Sequence, residues 1–127
     1  MAEQISVLQP CDAAHFDEDT LNGLSRDLGV EVAENILCRA LEDMGARFSH
    51  IRATYADGDM RGLHKSVRGM IPIADQIGLP GVAGIGKDVL VCIDRADPVA
   101  LAATLCRLLR CGEMALSCAE MGLDLTL

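Results

Sequence analysis

Apolar residues recur three or four apart along most of this chain, in successive stretches separated by glycine, aspartate and proline. That spacing is the signature of helices that each bury one face. Residues 1 to 16 show no sustained period and, with Pro10, read as an irregular lead-in. The segment FDEDTLNGLSRDLG then offers Asp17 or Asp19 as an N-cap, spaces Leu21, Leu24 and Leu28 at helical intervals, and stops at Gly29. A long second stripe runs through Val32, Ile36, Ala40, Leu41, Met44, Phe48, Ile51 and Tyr55, and should end near Asp57-Gly58. A third begins with Asp59 as cap, carries Leu63, Val67, Met70, Ala74 and Ile77, and ends at Gly78-Leu79-Pro80-Gly81. Pro72 lies inside it and should kink or loosen that helix, because it removes a backbone donor. The fourth stripe is Val82, Ile85, Val89, Cys92 and Ile93. Asp97-Pro98 then supplies a cap followed by proline at the first helical position. The last stripe, Leu101, Leu105, Leu108 and Leu109, continues less regularly to about Glu120 and leaves GLDLTL as a frayed or docked tail.

One short and four longer helices joined by tight turns predict an all-α fold, an antiparallel up-down four-helix bundle with an additional short N-terminal helix. It would form a single domain over residues 17–127, behind the irregular segment 1–16. Composition supports helices over strands. Half of the 127 residues are apolar, but the aromatics are only Phe16, Phe48 and Tyr55, so the core must be aliphatic and sulfur-containing.

The net charge of −8 is uneven: positions 1–60 hold four basic and twelve acidic residues, positions 61–127 seven of each. Such an acidic chain is a poor partner for nucleic acid, which is bound chiefly by neutralising phosphates. No apolar run approaches the roughly 18 residues that a membrane span needs. The N-terminus MAEQISVLQP has no basic, apolar signal segment, so a reducing cytoplasm is expected. The six cysteines show no C-x-x-C pair and no zinc-ligand spacing. They are expected to be buried thiols acting as small hydrophobes. The sequence calls for no metal or cofactor, and no Gly-rich phosphate loop follows a predicted strand.

Candidate chemistry gathers on the third helix. Its core face is centred on Leu63, Val67 and Ala74, and His64, Arg68, Ile71 and Asp75 form an adjoining strip about a quarter turn away. His64 and Arg68 are stacked neighbours, with Lys65 and Arg61 within a turn, so a basic patch interrupts an acidic protein. Such a patch suits phosphate or carboxylate groups. His15 and His50 have no partner at metal-ligand spacing.

From Gly58-Asp59, through Ala74, to Ile77-Gly78, the third helix and its surroundings resemble a histidine-containing phosphotransfer (HPt) domain. That family relays phosphoryl groups between aspartates of response-regulator receiver domains, on a four-helix bundle. It typically shows a Gly-Asp turn, a helix with His-x-x-Lys-Gly-x-Ala, and an apolar residue followed by Gly. The similarity in helix order covers about residues 17 to 112. The ungapped register puts Arg68 at the phospho-acceptor position, Ile71 at the usual Lys and Pro72 at the usual Gly. A second register matches Arg68-Gly69 to Lys-Gly but puts Lys65 at the acceptor and needs an insertion before Gly78.

The resemblance implies a protein of a two-component phosphorelay that docks a receiver domain, or a hybrid histidine kinase, through Arg61, Lys65, Arg68, Ile71, Pro72 and Asp75. A guanidinium cannot replace the imidazole nucleophile. Phosphotransfer would therefore run through His64, one turn or about 6 Å from the acceptor position, or not at all. A non-transferring relative would bind or inhibit its partner instead. A third reading is a helical adaptor acting through acidic residues of the second helix such as Glu31, Glu34, Glu42 and Asp43. No paired carboxylates or nucleophile–base pair converge on one face, which points away from an independent enzyme.

Overall fold

The computed structural model describes residues 14–126, with side chains through Ala119. Five helices follow one another: α1 (Glu18–Leu28), α2 (Val30–Ala56), α3 (Met60–Gln76), α4 (Pro80–Asp94) and α5 (Pro98–Thr126). The described residues are helical apart from the segment before α1 and the short connections, and they contain no strand. No helix among them is long and apolar enough to cross a membrane. Cys11 and the greater part of the expected lead-in lie outside the described residues.

Three of the connections are built alike. Gly58, Gly78 and Ala96 each take a left-handed backbone, at φ 73°, 82° and 53°. In each case that residue's N–H returns to a carbonyl three residues back, and the next N–H to one five residues back. The pairs are Gly58 to Tyr55 and Asp59 to Thr54, Gly78 to Asp75 and Leu79 to Ala74, Ala96 to Ile93 and Asp97 to Cys92. This double bond satisfies the last carbonyls of the outgoing helix. The residue after the turn then opens the next helix. Asp59 accepts from Gly62 N–H at 2.9 Å and Asp97 from Ala100 N–H at 3.1 Å. Leu79 has no side-chain oxygen to offer, and Pro80 starts α4 with no N–H to satisfy.

These turns fold α2 to α5 back on one another. α2 packs on α3, α3 on α4, α4 on α5, and α5 on α2, while α1 lies along α2. Asp17, the N-cap of α1, also donates its N–H to the Gly78 carbonyl at 2.6 Å, tying the start of α1 to the α3–α4 turn. The shared core is aliphatic, as the composition requires. Leu63, Val67, Met70, Ala74 and Ile77 of the third stripe are fully buried, and face Met44, Phe48 and Ile51 of α2, Val82, Ile85 and Val89 of α4, and Leu101, Leu105 and Leu108 of α5. Two glycines permit close approach. A Cβ on Gly86 would lie 3.0 Å from Ile71 Cγ1, and one on Gly112 would collide with the Phe48 ring.

The structure corrects several expectations. Val32 and Tyr55 are exposed, and the buried positions in the first half of α2 are led by Ala33, with Leu37 and Leu41 half-buried. Repeated steps of four residues drift about 40° each, which carries Val32 some 120° from Met44, whereas Ala33 lies within about 20° of it. The cysteines are not generally buried: Cys111 is, Cys92 is half-buried, and Cys38, Cys106 and Cys118 are exposed. The exposed three lie off the core stripes of their helices, Cys38 by about 120° from Met44 and Cys106 by about 140° from Leu101. α3 is helical on both sides of Pro72, which is exposed, and the expected loosening there is the hydrogen bond that the missing N–H cannot make. Within the expected tail, residues 122–126 continue α5 as helix.

Candidate functional site

The first half of α3 and the end of α4 enclose a shallow groove of about 460 Å³, lined by Met60, Arg61, His64, Lys65, Arg68 and Ile93. Its position follows from the hairpin. His64 lies fourteen residues before Gly78 and Asp94 sixteen after it, so two helices that reverse at that turn bring the two residues to the same level. His64 Nε2 stands 3.4 Å from Asp94 Oδ1, an ion-pair distance when the imidazole carries its proton. The ring is half-buried, with 29% of its side chain exposed against 68% for Asp94.

Around this pair, Arg61, Lys65 and Arg68 are exposed. Their spacing stacks them along one flank of α3, so like charges meet at intervals of three and four residues. Each such pair costs a helix about 0.2–0.5 kcal/mol. None of the three makes an ion pair or side-chain hydrogen bond among the described residues. Pro72 adds a local effect: lacking an N–H, it leaves the carbonyl of Arg68, four residues back, without its helical donor.

On its other flank α3 meets α2. His50 Nδ1 is 3.2 Å from Ser66 Oγ, and Ser66 is buried, so that histidine is engaged away from the groove. The Arg47 guanidinium lies against the backbone at Gly69, where a Cβ would come within 2.5 Å of Nη1. Asp43 is 3.5 Å from the enclosed Arg47 Nε, which has no well-formed hydrogen bond. His15 is exposed before α1 and borders a second, smaller depression with Phe16, Met114 and Cys118.

Of the residues singled out in the sequence, Arg61, His64, Lys65 and Arg68 come together in the groove. Ile71, Pro72 and Asp75 lie farther along α3 and do not line it: Ile71 packs against α4 at Gly86, while Pro72 and Asp75 are exposed. Met60, Ile93 and Asp94 were missed. Counting steps from Gly78 would have led close to Asp94, because a tight helical hairpin pairs residues by their distance from the turn: fourteen residues past it is Cys92, and Asp94 is two further on. Of the acidic residues considered for an adaptor surface, Glu31 and Glu42 are exposed, Glu34 is half-buried, and Asp43 is held beside Arg47. Among the described residues no group of three or more His, Cys, Asp or Glu is placed to hold a metal ion.

The groove can attract anions and offer an apolar rim, and it has one imidazole whose Nε2 is already turned toward a carboxylate. No protein-family model matches the chain, and no curated protein or solved structure shows a significant match to it.

Proposed function

We propose that the chain is an HPt-like docking protein of a two-component phosphorelay, and that it binds receiver domains, or a hybrid histidine kinase, without passing phosphate itself. The contacts of α2, α3, α4 and α5 in a closed ring, with short connections, support an antiparallel up-down four-helix bundle to which α1 is added. In that arrangement Arg68 occupies the acceptor position on an exposed helix face. The observation that carries the reading is the run of three cations, Arg61, Lys65 and Arg68, unpaired among the described residues, along one groove of an otherwise acidic chain. A receiver's acidic pocket is their electrostatic complement, and Met60 and Ile93 supply apolar contact beside it. A reducing cytoplasm is the compartment in which such partners meet.

A carrier version has one observation in its favour. His64 shares the groove with Lys65 and Arg68, which would steady a phosphoryl group. Against it, Asp94 stands in front of His64 Nε2, and the ring lies one turn from the expected acceptor. Positioning governs phosphoryl transfer, with about a hundredfold loss for a misplacement of even 1 Å.

The test is a panel of purified receiver domains, with and without beryllofluoride, measured for binding to the wild-type chain and to Arg68→Ala. Binding that falls about tenfold in the variant is expected. Absence of binding to any receiver, or indifference to Arg68, refutes docking through this face. Acid-labile label from phosphorylated receivers, present in wild type and lost in His64→Gln, would establish the carrier version instead.

A further inference from the structure

α3 offers its own cations no counter-charge. Its single carboxylate is Asp75, seven residues past Arg68, and the positions three and four away from Lys65 and Arg68 within the helix are Arg61, Gly62, His64, Lys65, Arg68, Gly69, Ile71 and Pro72. In a chain with nineteen acidic residues against eleven basic, three neighbouring cations without an ion pair among the described residues are a specific arrangement. Arg61 and Arg68 are seven residues apart, about 10.5 Å along the axis, with His64 and Lys65 between them. Four long or polar side chains can therefore converge on one point midway along the groove. Met60 and Ile93 beside that point exclude part of the solvent and so strengthen any charge interaction there.

We infer that the groove is a binding site for a doubly charged tetrahedral oxyanion, held by Arg61, Lys65 and Arg68, with His64 as a further hydrogen-bond donor. Phosphate esters, acyl phosphates and sulfate share this chemistry. The inference rests on the docking reading for its biological occupant, the phosphorylated carboxylate of a receiver, while free phosphate remains the other source.

Asp94 is the internal competitor, because it takes the face of His64 that an anion would use. The charged groups around His64 are Asp94 from α4, and Arg61, Lys65 and Arg68 on α3. His50 of α2 meets Ser66 and does not line the groove.

Sulfate is a suitable probe, since it is a tetrahedral oxyanion that carries two charges throughout the neutral range. The full chain is titrated with sulfate against chloride at matched ionic strength, following backbone amide shifts of α3. Saturable shifts with sulfate alone are expected, weakened about three- to tenfold by Lys65→Ala or Arg68→Ala. Affinity should fall in His64→Gln, persist in His50→Gln, and increase in Asp94→Asn. Equal responses to chloride and sulfate, or full affinity in the Lys65→Ala, Arg68→Ala double variant with unchanged circular dichroism, would overturn the site. Full affinity in His64→Gln removes His64 from it. Sulfate binding without receiver binding leaves this site standing and defeats docking. Receiver binding without sulfate affinity does the reverse.

Discussion

Exchanging glycine and alanine at the three like-built turns separates backbone strain from packing. A left-handed backbone costs an L-residue about 1–2 kcal/mol, and glycine loses about 0.4–1 kcal/mol more than alanine in unfolded-chain entropy. Gly58→Ala, with nothing within 4 Å of the new Cβ, should therefore destabilise by about 0.5–1 kcal/mol. Gly78→Ala carries the same backbone term, but its Cβ would lie 3.1 Å from the Asp17 carbonyl oxygen and 3.3 Å from Thr20 Cβ. Relief requires the start of α1 to move off the turn, so the total should reach about 2–3 kcal/mol. Ala96 already bears the strain, at φ 53°, and Ala96→Gly should stabilise by about 0.5–1 kcal/mol. Urea denaturation followed by circular dichroism resolves these differences, as does calorimetry, where each kcal/mol moves Tm by about 4 °C in a domain of this size. Equal losses for Gly58→Ala and Gly78→Ala would refute the docking of α1 on the α3–α4 turn. A loss of stability in Ala96→Gly would refute the left-handed turn at Ala96.

Gly112→Ala should destabilise by about 1–3 kcal/mol despite alanine's better helix propensity, because its Cβ falls inside the Phe48 ring and α2 and α5 must part; denaturant midpoints measure this. Leu63→Ala removes a fully buried side chain shared by three helices and should cost about 2–5 kcal/mol in the same assay. Asp97→Ala should cost about 1 kcal/mol by leaving the Ala100 N–H of α5 without its cap. Arg68→Ala should change stability by less than about 0.5 kcal/mol while abolishing most receiver binding, a separation that a folding defect could not produce.

The helices were legible because their ends are chemically marked: Asp17, Asp59 and Asp97 open them, and Gly29, Gly58 and Gly78 close them. The α3 core was legible for a second reason, since Leu63, Val67, Met70, Ala74 and Ile77 stay within a narrow arc. The α2 stripe was less so, because a string of i+4 steps rotates out of the core, and Val32 and Ala33 compete for the same place. Cysteine misled, since its burial depends on angular position rather than on being apolar. The site was half visible. Arg61, His64, Lys65 and Arg68 are near neighbours in sequence, whereas Ile93 and Asp94 arrive from another helix, and only the reversal at Gly78 brings them in.

That dependence makes the groove a matter of chain registration. Asp94 is about 24 Å of helix away from the Ile77-Gly78-Leu79 turn, and no residue of the turn touches the site. Yet one residue inserted or deleted within α4 would swing Asp94 and Ile93 by about 100° about the helix axis, away from His64, while leaving composition and charge almost unchanged. Substitutions scattered over the surface of α4 would be tolerated, but changes in its length would not. Chains that keep this groove should therefore vary at the exposed positions between Gly78 and Asp94 and hold the number of residues fixed.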